Sequence, residues 1–312
     1  MIHPCDPFCP TTLMTLMTAG WSHVPQPRVL PAMRDGATRF LACPRCRGAL
    51  ALVGSALRCP IGHTFDIARE GYVSMLDGVA PGVAADSAAM VAARRRSLDK
   101  GHFRPVSEAL VVAAVDAAAH RTAAVVDVGG GTGHYLAAVL DALPDADGLV
   151  VDLSRDAARV AARMHPRMSA AVCDVRQGLP LGDGAVSLLL DVFAPRDGGE
   201  MRRVLAPDGV LLVVTPAARH LGELHGVPGM LRVDERKQER LERSLAGFRL
   251  IGRHPVEWRM SLDRAAAKDV VMMGPSAHHA DPTALAEALT AFADPLPVTG
   301  SVEVTRWLPA RD

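Results

Sequence analysis

The sequence predicts an α/β fold built on a largely parallel, doubly wound sheet, with a small metal-binding module ahead of it. Two observations support this prediction. Beyond residue 123, short apolar runs alternate with helix-like stretches, which is the pattern of parallel strands covered by helices on both faces. Between residues 39 and 76, short strands and turns surround three cysteines and a histidine.

The predicted elements follow in chain order. Asp86 has the position of an N-cap for a helix that reaches Asp99, and a second helix extends from Pro105 to about Ala119. The charged segment 232–243 is predicted to be a solvated helix face. The remaining predicted strands are Ala124–Val128, Gly148–Leu153, Ala170–Cys173, Ala185–Asp191, Val210–Thr215 and Val302–Leu308, and the predicted helices between them are His134–Ala142 and Arg155–Met164.

The chain divides into three parts by pattern. Residues 1–37 show no sustained period and hold six prolines, which predicts a disordered tail or a misassigned start near Met33. Residues 38–77 form the predicted metal-binding module, and a Gly/Ala-rich linker (78–85) follows it. The α/β domain is assigned to residues 78–312.

Composition excludes some classes of function. No run of about 18 apolar residues lacks a charge, so the sequence predicts no membrane span. The first 27 residues contain no Lys or Arg, unlike a signal peptide. Three of the six cysteines lie within seventeen positions and the other three are scattered, which is not a disulfide framework and suits a reducing cytosol. Net charge is zero, but the segment from Arg28 to Arg104 holds twelve basic and six acidic residues, which favours a polyanion-facing part.

The cysteine spacing is the most specific local signal. Cys43-x2-Cys46-x12-Cys59-x3-His63 places two tight turns about a dozen residues apart, the arrangement that closes a tetrahedral zinc shell. Four protein ligands leave no open position, so the metal is predicted to be structural. The alternative is a small core with unligated cysteines. The nearby arginines suit either phosphate contacts or plain solvation: Arg45, Arg47, Arg58 and Arg69.

A glycine-rich turn joins the first buried strand to a helix. Its spacing is Asp127-x-Gly129-x-Gly131-x-Gly133, and His134 stands where a dinucleotide fingerprint needs its last glycine. Taken alone, the segment is equally consistent with a tight strand-to-helix turn. It resembles, however, the first motif of class I methyltransferases, in which the acid helps to hold the methionine part of S-adenosylmethionine.

Later acids strengthen this resemblance. Asp152 ends the next predicted strand, where a carboxylate accepts hydrogen bonds from ribose hydroxyls. Taken singly, each of these acids is also consistent with a helix cap. Asp174 follows the third strand, where the family places an acid near the adenine amino group, and the segment 204–212 resembles the late helix–turn–strand of the fold. We therefore expect a class I methyltransferase (Rossmann-like, with a mixed seven-stranded sheet). The cofactor contacts are assigned to Asp127, Gly129, Gly131, Gly133, His134, Asp152, Leu153, Asp174 and Val175.

Together, the zinc motif and the glycine loop resemble one family, the RlmA-type 23S rRNA (guanine-N1)-methyltransferases, and within it the actinobacterial macrolide-resistance branch (tylosin and mycinamicin). The resemblance extends from about Arg39 to the C-terminus, and Ser97 departs from it because an aromatic residue is expected there. The strings that carry it are Leu57–Val73, Asp86-Ser87, Met90, Ala93-Arg94, Leu98–Pro105, Val192–Arg196 and Met273–Ser276.

This resemblance implies methyl transfer from S-adenosylmethionine to guanine N1 in a hairpin loop of 23S rRNA, beside the macrolide site of the exit tunnel. It also implies a cytoplasmic enzyme that forms a homodimer. Asp191 is the predicted proton acceptor, Phe193 either stacks on the base or belongs to the core, and Arg196 binds O6 or phosphate. His102 either contacts the cofactor or caps a helix.

Two other functions remain open from sequence. One is a small-molecule methyltransferase whose zinc module mediates protein contacts. The other is a catalytically silent RNA-binding protein, which would bind cofactor without turnover.

Overall fold

One mixed eight-stranded sheet forms the centre of the molecule. The structure, a computed structural model, describes residues 35–76, 84–118, 124–231 and 236–310. The expectations for residues 1–34 and for most of the linker at 78–85 therefore lie outside the described residues. The strands are β1 (Ala51–Val53), β2 (Ala56–Arg58), β3 (Thr64–Asp66), β4 (Tyr72–Ser74), β5 (Ala124–Val128), β6 (Asp147–Asp152), β7 (Met168–Val172), β8 (Val186–Val192), β9 (Leu205–Pro216), β10 (Phe248–Leu262) and β11 (Leu296–Pro309).

The topology of the large sheet explains where a ligand binds. Its order is β10-β11-β9-β8-β5-β6-β7-β4, and β4 to β9 run parallel while β10 and β11 pair antiparallel. Strand β5 is buried at every position and pairs with β6 on one side and β8 on the other. The strand order therefore reverses at β5, and open α/β sheets bind ligands at the carboxyl edge of such a reversal.

The helices cover both faces of this sheet. The predicted helix 134–142 has the same bounds in the structure, and α5 ends three residues before the predicted Met164. The predicted charged helix begins only at Lys237, with residues 232–235 outside the described part. The helices are α1 (Asp35–Thr38), α2 (Ala88–Asp99), α3 (Arg104–Ala118), α4 (His134–Ala142), α5 (Arg155–Ala161), α6 (Gly198–Val204), α7 (Lys237–Ser244), α8 (Arg264–Met272) and α9 (Pro282–Ala288).

The N-cap assignment at Asp86 is wrong. The cap is Ser87, whose hydroxyl accepts a hydrogen bond from the backbone N–H of Met90 at 3.3 Å. Asp86 forms an ion pair with Arg94 instead, at 2.5 Å. Asp and Ser both cap helices well. Here Ser87 is the cap, because the carboxylate of Asp86 pairs with Arg94 on the helix itself.

The seven-stranded expectation is also wrong, because β4 adds an eighth strand. Tyr72, within the segment assigned to the zinc module, pairs in parallel with Ala170 of β7, and the N–H of Met75 donates to the carbonyl of Val172 at 2.8 Å. Strand β4 thus satisfies the free edge of β7. The chain of the zinc module is therefore hydrogen-bonded directly into the methyltransferase sheet.

The rest of the zinc module packs on one face of that sheet. Strands β1 to β3 form a small antiparallel sheet, and Phe40, Leu57 and Phe65 share a buried cluster with Leu181. The N–H of Ala42 also donates to the carbonyl of Pro180 at 2.9 Å. The two parts therefore share one hydrophobic core. No helix in the described ranges is long and apolar enough to cross a membrane.

Candidate active site and zinc centre

The loop after β5 has the backbone that its glycines predict. Gly129, Gly131 and Gly133 have φ values of 66°, 55° and 77°, in the left-handed region that favours glycine. A Cβ on Gly129 would lie 2.6 Å from the Cβ of Ala194, and a Cβ on Gly130 would lie 2.6 Å from the carboxylate of Asp127. The loop is therefore packed closely against the end of β8 and over Asp127, with no room for side chains.

Asp127 is a buried carboxylate with no internal partner. Its side chain has no exposed surface, and neither carboxylate oxygen has a hydrogen-bond partner among the described residues. Burial raises the pKa of Asp127 well above its usual range, and the nearby carboxylates of Asp191 and Asp152 raise it further. A buried carboxyl group of this kind is suited to accept a hydrogen bond from a ligand that enters the site, and a ligand cation would favour its ionised form.

Asp152, at the end of β6, braces the glycine loop. Its Oδ2 accepts from the N–H of Gly131 at 2.9 Å and its Oδ1 accepts from the N–H of Ser154 at 2.8 Å. Burial raises the pKa of Asp152, and these two hydrogen bonds act in the opposite direction. Each oxygen has a second lone pair, so the carboxylate can still accept from a ribose. Leu153 follows it and is half-buried.

Asp174 lies at the end of β7 and is held by its own turn. Arg176 donates to it through Nε at 2.9 Å and Nη2 at 3.0 Å, and through its backbone N–H at 3.1 Å. The Arg176 guanidinium keeps the pKa of Asp174 below its usual range, so this carboxylate is ionised. Val175, half-buried, begins the short turn that follows.

His134 begins α4 directly after the glycine loop. Its Nε2 lies 3.3 Å from the hydroxyl of Ser107, and its ring meets Tyr135 edge-on at 5.4 Å between centroids. Burial lowers the pKa of His134, so the ring is neutral at pH 7. The contact with Ser107 joins the His134 ring to α3.

The end of β8 brings the three predicted catalytic residues together. Asp191 is fully buried and accepts from Nε and Nη2 of Arg196, each at 3.0 Å. Arg196 also donates to the carbonyl of Ala194 at 3.2 Å. Asp191 and Arg196, which were assigned separate roles from sequence, form one bidentate pair in the structure.

Phe193, between them, has a strained backbone and an exposed ring. Its φ is 57°, unusual for a bulky residue, and 38% of its surface is exposed. The ring stacks on His220 at 6.0 Å and 26°, and meets Tyr135 at 6.4 Å. The core alternative for Phe193 is therefore not favoured, because a large aromatic side chain is held at the surface beside the glycine loop.

Two residues near the glycine loop and Phe193, His220 and Arg94, were not predicted from sequence to belong to the site. His220 follows β9, and its only sequence signal was its place after a predicted strand. Arg94 was within a string that carried the family resemblance, and the structure places its Nη1 2.8 Å from where a Cβ on Gly131 would lie. Of the alternatives for His102, helix capping is observed through its backbone: its N–H donates to the carbonyl of Ser97 at 3.4 Å, and the N–H of Gly101 donates to that of Leu98 at 2.9 Å.

The four predicted zinc ligands converge. The ligand atoms of Cys43, Cys46, Cys59 and His63 all lie within 4.8 Å of one another. The sulfurs of Cys46 and Cys59 are 3.7 Å apart, and the sulfur of Cys43 is 3.4 Å from Nδ1 of His63. Tetrahedral zinc with Zn–S bonds of about 2.3 Å separates two sulfurs by about 3.8 Å. The donor set and spacing therefore fit zinc.

The four arginines of the module divide into two groups. Arg45, Arg58 and Arg69 have exposed side chains on the module. Arg47 is half-exposed and also contacts the methyltransferase domain, donating to the carbonyl of Leu179 at 3.2 Å and lying 3.8 Å from the carboxylate of Glu200. Arg47 thus contributes to the junction between the two parts.

The fold and the two sites define the class of the protein, an S-adenosylmethionine-dependent class I methyltransferase with a structural zinc module. Two family models match it: the N-terminal zinc ribbon of RlmA over residues 41–77, and a methyltransferase domain over residues 125–209. The YcgJ protein of Bacillus subtilis, a solved structure, has a TM-score of 0.44 and 16% identity over 65% of this chain and 98% of that one.

Similar sequences narrow the class to a family. The 23S rRNA (guanine(748)-N(1))-methyltransferase of Streptomyces fradiae is 48% identical over 88% of this chain and 98% of its own length. A candidate 23S rRNA (guanine-N(1)-)-methyltransferase of Micromonospora griseorubida is also 48% identical, over 86% of this chain and 97% of its own. The chain belongs to the family of 23S rRNA (guanine-N1)-methyltransferases.

Proposed function

We propose that this protein methylates N1 of a guanine in a hairpin loop of 23S rRNA, near the macrolide site of the exit tunnel. The observation that carries the proposal is the 48% identity over nearly the full length of a relative named for that activity. The glycine loop, the buried Asp127 and the Cys₃His set are all present on this chain. We propose the guanine given in the name of the S. fradiae relative as the target, and the cytoplasm, where ribosomal RNA is found, as the location.

The chemistry of N1 sets what the site must do. N1 carries a proton and lies on the Watson–Crick edge of guanine, so a paired base cannot react and an unpaired or extruded base must enter the site. S-adenosylmethionine supplies the methyl group. The protein's own task is to align N1 with that methyl and to take up the proton that leaves N1.

Phe193 is the residue that we propose stacks on the guanine. Its ring is exposed at the carboxyl edge of the sheet, on the strand next to the glycine loop, and a strained backbone holds it there. Aromatic rings bind extruded bases by stacking, which contributes about 1–3 kcal/mol per base. His220, stacked behind Phe193, supports the ring.

Asp191 is the group that we propose accepts the N1 proton. It raises the pKa of Asp127 by its charge, so the two carboxylates lie close together at the same edge of the sheet. The bidentate pair with Arg196 fixes the orientation of Asp191. The main role that we propose for Arg196 is therefore to position Asp191. Its remaining N–H groups are proposed to contact O6 or phosphate.

The zinc module is proposed to bind RNA phosphates. Arg45, Arg58 and Arg69 are exposed on a part of the chain that is joined to the large sheet by main-chain hydrogen bonds. Phosphate neutralisation by arginine releases counterions and makes binding steeply dependent on salt. We propose that the protein acts as a homodimer with two such modules, and that the module begins near residue 38.

The experiment is methyl transfer to a 23S rRNA fragment that contains the hairpin, followed by nucleoside analysis. The proposal expects 1-methylguanosine, and none when the target guanine is replaced by adenine. Arg58→Ala, which removes an exposed arginine of the module, should weaken RNA binding and flatten its salt dependence by about one unit or less. Incorporation that is equal in both RNAs would contradict the proposed target.

A further inference from the structure

The guanidinium of Arg94 is fixed above the cofactor loop. Arg94 lies on α2, and its Nε and Nη2 donate to the carbonyl of Met273 at 3.1 and 2.6 Å. Nη2 also pairs with the carboxylate of Asp86 at 2.5 Å. One edge of the guanidinium is therefore fully engaged, which leaves Nη1 to face another direction.

That direction is the glycine loop. Nη1 of Arg94 lies 2.8 Å from the position that a Cβ on Gly131 would occupy. Gly131 donates its N–H to Asp152, so the loop is held in place beneath the guanidinium. The side chain of Arg94 is 22% exposed, so its charge is partly withdrawn from water. Partial burial of this kind strengthens its interaction with an anion at the loop.

The chemistry of the amino-acid part of S-adenosylmethionine calls for two opposite partners. Its α-carbon carries an ammonium and a carboxylate together. The buried Asp127, which has no hydrogen-bond partner among the described residues, suits the ammonium, and consecutive glycines of one loop, Gly130 and Gly131, lie beside Asp127 and beside the guanidinium of Arg94. Resting on the cofactor assignment above, we propose that Arg94 binds the α-carboxylate of S-adenosylmethionine through Nη1. It would thereby make the enzyme selective for a cofactor with an intact amino-acid group.

The contacts of Arg94 with Met273 and Asp86 would be the same if its role were only to hold the fold together. By bonding to Met273 it joins α2 to the segment that follows α8. The neighbouring Arg96 joins α2 to α8 through a bidentate pair with Asp269 at 2.9 and 2.6 Å, and among the described residues no hydrogen bond joins it to the glycine loop. Arg96 is therefore a matched control for the loss of a helix-joining arginine.

The test compares two ligands that differ only in the carboxylate. S-adenosylmethionine and its decarboxylated form are titrated by calorimetry into the zinc-loaded, full-length protein, as wild type, Arg94→Met and Arg96→Met. Arg94→Met should lower the affinity for S-adenosylmethionine by about tenfold to a hundredfold and leave that for the decarboxylated form unchanged. Arg96→Met should keep the wild-type preference between the two ligands. Arg94→Lys, which keeps the charge, should retain part of that preference.

Each other outcome overturns the inference in a different way. If Arg94→Met lowers the affinity for both ligands equally, Arg94 only holds α2 in place. If it changes neither affinity, Arg94 does not contact the cofactor. If wild type binds neither ligand, the cofactor site itself is wrong, and the inference is overturned with it. Thermal unfolding of each variant, measured alongside, identifies a loss of affinity that comes from a damaged fold.

Discussion

Replacing Asp127 with Asn removes a buried ionisable group at nearly constant shape, and its effects on binding and on stability have opposite signs. The carboxylate is fully buried and has no hydrogen-bond partner among the described residues. A hydrogen bond to a charged group contributes about 1.5–3 kcal/mol, and about 1.4 kcal/mol corresponds to a factor of ten. We therefore expect Asp127→Asn to weaken S-adenosylmethionine binding by about 10- to 150-fold.

The dependence of stability on pH gives the second signature of Asp127. Burial raises its pKa in the folded protein, so the folded state holds the proton longer than the unfolded state does. The free energy of unfolding of the wild type should therefore fall as pH rises from the unfolded pKa through the folded pKa, and then level off. Asp127→Asn should lack this decrease. Since the ammonium of the cofactor favours the ionised carboxylate, wild-type binding should also release a proton and strengthen with pH.

Calorimetry in buffers of different ionisation enthalpy measures both the affinity and the proton release. Chemical denaturation at several pH values gives the free energy of unfolding. Asp145→Asn makes the same chemical change at an exposed position and should match wild type in every measurement. An Asp127→Asn protein with wild-type affinity and a wild-type pH profile would refute the role given to this carboxylate.

Three further predictions concern the loop, the metal and the core. Gly129→Ala should abolish S-adenosylmethionine binding in calorimetry, because the new Cβ would lie 2.6 Å from that of Ala194 at a φ of 66°; retained affinity would show that the loop yields. Cys59→Ser should lose the one equivalent of zinc measured by metal analysis and should lower RNA methylation far more than cofactor affinity, whereas full zinc occupancy would remove Cys59 from the ligand set. Ser97→Ala should raise the free energy of unfolding by about 1 kcal/mol, because the Ser97 hydroxyl is fully buried without a partner in the described ranges; a destabilised variant would mean that this hydroxyl is satisfied.

The sequence predicted the two sites better than it predicted the edges of the sheet. The zinc ligands and the glycine loop were found because local spacing alone determines both, through tight turns and left-handed backbone. Strand β10 (Phe248–Leu262) was not located, although apolar and polar residues alternate from Val256 to Leu262, which is the pattern of a half-buried strand. Strand β4 has three residues, and only its pairing with β7 makes it a strand. Only β4 leaves no strong local pattern.

Side-chain partners were the other part that local sequence did not determine. Asp86 is a good capping residue by type, yet it pairs with Arg94, which lies two turns along the helix. Arg196 was expected to face the substrate freely, and it is held by Asp191 across a turn. Arg47 was grouped with the exposed arginines of the module, and it contacts Glu200 on the methyltransferase domain. In each case the partner is a residue that only the folded chain brings close.

Primer extension on unmodified 23S rRNA tests the central claim most directly, because a methyl group on guanine N1 blocks reverse transcriptase at the modified base. The account predicts one new stop at a guanine in the hairpin loop. This stop should appear only when S-adenosylmethionine is present and should be absent with Asp127→Asn at limiting cofactor. Wild-type protein that carries zinc and binds S-adenosylmethionine, yet produces no stop on 23S rRNA, would contradict it.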